Sequence, residues 1–208
     1  MAAGGVVVSA SDECFTPGSW LVLARDVLGA IDLDPASSVE AQAVIGARRF
    51  FTIEQDGLSQ RWRGRLWLNV PYSRPGPWVD KLVASYQTGQ VSAAVALFNS
   101  MTGARWFDTL ARCGWRCELR KRIAFWGPAT AGGPGMRDQV FFYLGRKPER
   151  FASVFGEHGR IVAPSVTLGV TRGAVCSVCS RSLAGLRSGA VVCSSRCRQR
   201  AYRVRVAG

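Results

Sequence analysis

Residues 66–73 read LWLNVPYS, an apolar run that ends abruptly in asparagine, valine, proline and tyrosine. A short apolar run predicts a buried strand, and the residues after it are typical of a turn. In an open sheet covered by helices, ligands bind beyond the carboxyl ends of the strands. We therefore expect Asn69, Val70, Pro71 and Tyr72 to border a ligand-binding crevice, although an ordinary strand-ending turn has the same composition.

These residues can bind an amino group that is attached to a planar ring. The side-chain carbonyl of Asn69 can accept one amine proton, and the backbone carbonyl of Val70 can accept the other. Tyr72 offers its ring, rather than its hydroxyl, for stacking against the planar group, an interaction worth about 1–3 kcal/mol.

Hydrophobic periodicity along the rest of the chain predicts helices that alternate with strands. Such alternation indicates an α/β fold with a mostly parallel sheet. The predicted helices cover residues 17–28, 38–48, 78–86, 104–113 and 149–158, and the predicted strands cover residues 30–33, 65–68, 91–98, 115–119, 123–126 and 139–144. Residues 127–137 are dense in glycine and proline and predict a loop.

Composition points to a polyanionic partner. The chain has 208 residues, 48% of them hydrophobic, and a formal net charge of +13, which favours nucleic acid. No apolar run is long enough for a membrane span, so we expect no membrane binding. The amino-terminal residues lack the pattern of a secretory signal, so we expect a cytoplasmic protein.

Four of the seven cysteines lie in two pairs near the end of the chain. Cys176 and Cys179, then Cys193 and Cys197, have the spacing of a tetrahedral zinc site with four thiolate ligands. We expect the zinc to be structural, because four protein ligands leave no open position. The remaining cysteines are expected to be packing residues.

Arginines around the second cysteine pair are candidates for contacts with DNA phosphates. They are Arg196, Arg198, Arg200 and Arg203. A second basic run, Arg120, Lys121 and Arg122, is either a phosphate-contacting segment or a solvated charge run.

An ordered set of segments resembles the phage-type DNA N6-adenine methyltransferase (Dam-like) family. The set comprises Asp12 with Thr16-Pro17, IDLDPAS at 31–37, FFT at 50–52, DGL at 56–58, Trp62 leading into GRLWLNVPYS at 64–73, LFNSMTGARWF at 97–107 and RIAFWGP at 122–128. The resemblance covers about two-thirds of the chain. It implies a Rossmann-like methyltransferase fold that uses S-adenosylmethionine to methylate adenine in double-stranded DNA, in the cytoplasm of a bacterial host if a phage or prophage encodes the chain.

The resemblance also implies the cofactor contacts, and it leaves open which aspartate makes the main one. The implied residues are Thr16, Pro17, Asp32, Asp34, Pro35 and Asp56. Asp34 could instead cap the helix that follows it. We expect a methyltransferase domain at residues 12–158, a linker at 159–173 and a small zinc-binding basic module at 174–205.

Val70 departs from the family, which has proline at this position. Valine keeps the backbone carbonyl, and Pro71 after it favours extended geometry. Three other functions remain open at this point. They are a DNA-binding protein of the same fold with weak or no catalysis, a cytosine-N4 methyltransferase, and a methyltransferase that acts on a protein amide.

Overall fold

The computed structural model describes residues 14–127, 130, 137–166, 192–197 and 199. Within them, helices and strands alternate as predicted. The helices are α1 (Gly18–Leu28), α2 (Val39–Ile45), α3 (Gly76–Gln87), α4 (Arg105–Cys113) and α5 (Pro148–Phe155), with a 3₁₀ helix at Ile53–Gln55. The strands are β1 (Leu33–Asp34), β2 (Arg49–Phe50), β3 (Gly64–Asn69), β4 (Val91–Asn99), β5 (Trp115–Leu119), β6 (Gln139–Leu144) and β7 (Gly159–Val162).

The strands form one mixed sheet in the order β2-β1-β3-β4-β6-β5-β7. Parallel pairing joins β2, β1, β3 and β4, whereas β6 pairs antiparallel with both β4 and β5, and β7 pairs antiparallel with β5. Three of the six pairings among the described strands are antiparallel, so the sheet is mixed and not mostly parallel as predicted, because β6 pairs antiparallel with both of its neighbours.

Helices cover both faces of the sheet, which explains the nearly continuous apolar composition of the central strands. Leu66 and Leu68 of β3 pack in one cluster with the apolar sides of α3 and α4. Trp67 lies between them in sequence and packs on the opposite face, in a cluster with α1, α2 and α5. This three-layer arrangement is the predicted α/β architecture.

Local signals set the ends of the helices around β1. Ser38 begins α2, where its hydroxyl accepts a hydrogen bond from the Ala41 N–H at 3.2 Å. Gly46 ends the helix in the left-handed conformation (φ 58°), so α2 is shorter than the predicted 38–48. Because β1 and β3 are parallel neighbours, their carboxyl ends lie at the same edge of the sheet.

The strand predictions fail at three places, namely residues 123–126 and the two edge strands β2 and β7, and β2 was not predicted as a strand. Residues 123–126 do not form a strand, although Ile123 and Phe125 are buried. The Ile123 N–H donates to the side chain of Gln139, and Trp126 forms only an isolated bridge with Phe15. Conversely, Gly159–Val162, which was expected to begin the linker, forms the edge strand β7.

Candidate active site

Asn69 lies at the carboxyl end of β3, and both polar atoms of its side chain have partners. Its amide nitrogen donates to the backbone carbonyl of Cys14 at 2.8 Å. Its carbonyl oxygen accepts a hydrogen bond from the Tyr72 hydroxyl at 3.0 Å. The site-forming loop therefore closes on itself and is tied to the segment that precedes α1.

The hydroxyl of Tyr72, for which no role was predicted, is thus part of this network. Burial raises the pKa of Tyr72 well above its usual range, so the hydroxyl remains a proton donor. Its ring meets Phe125 edge-on at a centroid distance of 6.1 Å. Stacking of this ring on a substrate remains a prediction.

Val70 points its side chain into the core beneath α3, where only 2% of its surface is exposed. Among the loop and turn hydrogen bonds of the described residues, none uses the Val70 backbone carbonyl. Val70, at the position where the family that the sequence resembles has proline, therefore fills a core position and leaves its backbone carbonyl as an acceptor. Pro71 and Tyr72 continue the chain in the turn that leads to α3.

Asp34 ends β1 and is almost completely buried, with 1% of its surface exposed. One carboxylate oxygen accepts from the Ala36 N–H at 3.2 Å, and the other accepts from the Gln42 side chain at 3.1 Å. Burial raises the pKa of Asp34 to about 7, against the opposing effect of hydrogen bonds from Ser37, Ala36 and Gln42. The carboxylate thus shapes the loop after β1 and does not cap α2, whose cap is Ser38.

Gln42 was not recognised from the sequence. Its amide nitrogen also donates to the Ser37 hydroxyl at 2.7 Å, while its carbonyl accepts from the Ala47 N–H at 3.0 Å. One side chain on α2 thereby connects the start and end of that helix to Asp34. A glutamine in a short amphipathic helix carries no sequence signal for such a role.

Asp32, the other candidate aspartate, forms an ion pair with Arg65. Both of its carboxylate oxygens pair with the Arg65 guanidinium, at 2.7 and 2.9 Å, and one also accepts from the Arg65 backbone N–H at 2.9 Å. The side-chain hydrogen bond from Arg65 is the main reason that the pKa of Asp32 falls to about 2. Asp32 precedes β1, whereas Asp34 ends it, so Asp34 is the aspartate nearer the carboxyl ends of the parallel strands.

Asp56 and Gly57 bring a third loop to this edge. A Cβ atom on Gly57 would lie 1.8 Å from the Pro35 backbone oxygen, so the two loops are in direct backbone contact. Asp56 is exposed and has a φ of 47°, the one positive φ among the described residues other than glycine. One of its carboxylate oxygens accepts from the Leu58 N–H at 3.1 Å.

The segment before α1 completes the surroundings of Asn69. Phe15 and Trp126 exchange two backbone hydrogen bonds, of 2.7 and 3.1 Å. Thr16 is buried, and its hydroxyl has no hydrogen-bond partner among the described residues. Pro17 directly precedes α1. A buried hydroxyl without a partner is costly unless a ligand supplies one.

The predicted DNA-contacting residues of the main domain lie after β5 and are exposed. The Arg120 guanidinium donates to the Glu157 backbone carbonyl at 2.9 Å, and Arg122 pairs with Asp138 at 2.9 Å. Lys121, between them, has no ion pair within the part of the chain that the structure describes.

Of the predicted C-terminal module, the structure describes only residues 192–197 and 199. The sulfur atoms of Cys193 and Cys197 are 3.7 Å apart, and Arg196 between them is exposed. Cys176, Cys179, Arg198, Arg200 and Arg203 lie outside the described residues. Within the described part, no group of three or more potential metal ligands occurs.

No helix in the described part of the chain is long and apolar enough to cross a membrane.

Comparison with known proteins finds the same family that the sequence motifs resemble. The family model for DNA N-6-adenine-methyltransferase (Dam) matches residues 6–132. The DNA N-6-adenine-methyltransferase of Haemophilus phage HP1 (strain HP1c1) is 36% identical over 66 residues, which are 31% of this chain and 38% of the phage protein. The match to this relative thus spans less than half of its length.

Two solved structures are also similar. A dimethyladenosine transferase from Plasmodium falciparum superposes with a TM-score of 0.42 and 13% identity, over 69% of this chain and 66% of that one. The 23S rRNA methyltransferase ErmE superposes with a TM-score of 0.37 and 11% identity, over 64% of this chain and 70% of that one. The family model, which spans more than half of the chain, shows that this protein belongs to the DNA N-6-adenine-methyltransferase (Dam) family.

Proposed function

We propose that the protein transfers a methyl group from S-adenosylmethionine to the exocyclic N6 amine of adenine in double-stranded DNA. The observation that carries this proposal is the position of Asn69. Its side-chain carbonyl lies at the end of β3, at the same sheet edge as the loop after β1. Membership of the Dam family supports the choice of adenine as the target.

The residues of the loop account for the chemistry of the amine. With the adenine extruded from the duplex, the Asn69 carbonyl accepts one N6 proton and the Val70 backbone carbonyl accepts the other. These two acceptors direct the nitrogen lone pair towards the methyl carbon. When bound, S-adenosylmethionine would supply the methyl carbon to this nitrogen and leave as a thioether that keeps the sulfur–carbon bonding electrons, and one amine proton would pass to water. Positioning supplies much of the rate in such a direct transfer.

The residues around the loop fit S-adenosylmethionine, which supplies an activated methyl group on a sulfonium. The Thr16 hydroxyl is buried without a partner among the residues that the structure describes, so it has hydrogen-bonding capacity for the polar end of the cofactor. The start of α1 beside it favours a carboxylate. Asp56 keeps one carboxylate oxygen for a ribose hydroxyl, and Asp34 and Pro35 form the loop against which Gly57 packs.

Charge favours DNA as the substrate. The net charge of +13 attracts a polyanion, and exposed Lys121 and Arg122 lie on the segment that leads to Trp126. We propose that they contact phosphates, together with Arg120 and with the arginines of the C-terminal module.

We further propose that Cys176, Cys179, Cys193 and Cys197 bind a structural zinc ion. Two thiolates of a tetrahedral zinc with bonds of about 2.3 Å lie about 3.8 Å apart. The 3.7 Å separation of the Cys193 and Cys197 sulfurs matches that value, and the sequence spacing of the other pair supplies two more thiolates.

The function is tested by incubating the full chain with methyl-labelled S-adenosylmethionine and DNA, followed by digestion to nucleosides. Duplex DNA, single-stranded DNA and a protein mixture serve as parallel substrates. We expect label in N6-methyldeoxyadenosine, with more from the duplex than from the single strand. Label in N4-methylcytosine or in protein, or DNA binding without any transfer, would contradict the proposal.

A further inference from the structure

The orientation of the Asn69 amide follows from its surroundings. The Cys14 backbone carbonyl, 2.8 Å from the Asn69 nitrogen, accepts hydrogen bonds and cannot donate them. The NH2 group of Asn69 must therefore face Cys14. The Asn69 carbonyl oxygen consequently faces Tyr72, whose hydroxyl donates to it at 3.0 Å.

In this arrangement the Tyr72 hydroxyl uses one of the two acceptor positions of the Asn69 carbonyl oxygen. An amide oxygen has two lone pairs, and the Tyr72 hydroxyl occupies one of them. The second remains for an incoming donor. Because the amide is held at both ends, it cannot rotate to present its NH2 group instead, which would repel an amine.

Both holding groups are themselves fixed. The backbone at Phe15 is joined to Trp126 by two hydrogen bonds, which fixes the neighbouring Cys14 carbonyl. The Tyr72 ring packs against both core clusters and meets Phe125 edge-on. The Tyr72 side of the clamp thus rests on the core, and the Cys14 side rests on the isolated bridge between Phe15 and Trp126.

We infer that the Tyr72 hydroxyl and the Cys14 backbone carbonyl form a clamp that positions the Asn69 carbonyl for its substrate, so that Tyr72 is a positioning residue that acts through Asn69. This inference rests on the proposed amine-orienting role of Asn69. It assigns to the hydroxyl a function separate from any stacking by the ring.

A double-mutant cycle tests the clamp. We expect Tyr72→Phe to lower kcat about tenfold, as for one lost buried hydrogen bond, with KM for DNA and Kd for S-adenosylmethionine changed less than twofold. In an Asn69→Ala background the same substitution should change kcat less than twofold, because the group on which it acts is gone. Equal effects in both backgrounds, or no loss of kcat in Tyr72→Phe alone, would overturn the inference.

Tyr143→Phe is the matched control. It also removes a buried phenol hydroxyl, one that accepts from the Lys147 backbone N–H at 3.1 Å and lies outside the Asn69 network. The kcat of the Tyr143→Phe variant should remain at the wild-type value. A tenfold loss in this control would make the effect of Tyr72→Phe a general consequence of removing a buried hydroxyl, and would overturn the clamp.

A second readout is independent of catalysis. The side-chain NH2 resonances of Asn69 are identified by their loss in Asn69→Ala. They should shift in Tyr72→Phe and stay in place in Tyr143→Phe. Unshifted resonances in Tyr72→Phe would refute the clamp. If the wild type methylates no adenine but the resonances shift, the proposed function fails while the clamp stands.

Discussion

Gly57 lies so close to Pro35 that a Cβ atom at position 57 would be 1.8 Å from the Pro35 backbone oxygen and 3.3 Å from the Trp78 ring. The Gly57 carbonyl also accepts a hydrogen bond from the Trp62 indole at 2.8 Å. The loop that carries Asp56 is thereby held directly against the loop after β1. This contact joins two of the segments that we assign to cofactor binding.

Gly57→Ala should therefore separate the two loops. Because the nearest atom belongs to the backbone, the overpacking is expected to cost about 1–3 kcal/mol in the free energy of unfolding and to weaken binding of S-adenosylmethionine. Gly76→Ala is the control, since a Cβ there has no neighbour within 4 Å. Urea denaturation and cofactor titration give both quantities. Wild-type values in Gly57→Ala would show that this contact does not hold the site.

Asp32→Asn distinguishes an ion-pairing role from cofactor binding. Arg65 lowers the pKa of Asp32 to about 2, so the pair stabilises the fold above pH 4 and loses its effect as the pH falls towards 2. We expect the substitution to cost about 1–2 kcal/mol at pH 7, after allowance for partial exposure. The deficit should disappear near pH 2, and cofactor affinity should not change. A tenfold weaker cofactor affinity would instead place Asp32 in the binding site.

Asp34 should give the opposite pH dependence. Its pKa, raised by burial to about 7, favours the folded state when the carboxyl is protonated, and this advantage is lost as the pH rises from about 4 through 7. Relative to Asp34→Asn, the wild type should lose on the order of 2–4 kcal/mol over this range. Chemical denaturation of both proteins at pH 5 and pH 8 measures the difference. A difference that is constant with pH would argue against this ionisation behaviour.

Much of this architecture could be predicted because its signals are local. The strands at 115–119 and 139–144 lie where their apolar runs predicted them, and the Asn69 turn follows its strand directly. Edge strands β2 and β7 were missed because two and four residues, partly exposed, give little periodicity.

The network of the site could not be read from the sequence, for two reasons. The partner of the Asn69 NH2 group is a backbone carbonyl 55 positions away. Every residue has a backbone carbonyl, so the residue type at that position does not indicate the contact. Asp32 and Asp34 are the same residue type, so the sequence alone does not distinguish their roles. They differ only because Arg65 pairs with the first, 33 positions away, while burial and Gln42 enclose the second.

The C-terminal module gives a prediction about metal. If the proposed zinc ion is bound, Cys193→Ser should release it, since three thiolates hold the ion less tightly than four. DNA affinity should also fall and show a weaker salt dependence if zinc binding positions the proposed phosphate-contacting arginines. Cys113→Ser, at a cysteine on α4 outside the proposed ligand set, is the control. Elemental analysis that finds no zinc in the intact protein would contradict the proposed metal site.

Single-turnover methyl transfer in the wild type and in Asn69→Ala tests the central claim most directly. With saturating S-adenosylmethionine and an excess of enzyme over duplex DNA, the rate of N6-methyladenine formation reports the methyl-transfer step. We predict a fall of about a hundredfold or more in Asn69→Ala, the range found for a lost preorganised polar group, with cofactor affinity and the free energy of unfolding nearly unchanged. A wild-type rate in Asn69→Ala would contradict the claim that this side chain orients the adenine amine.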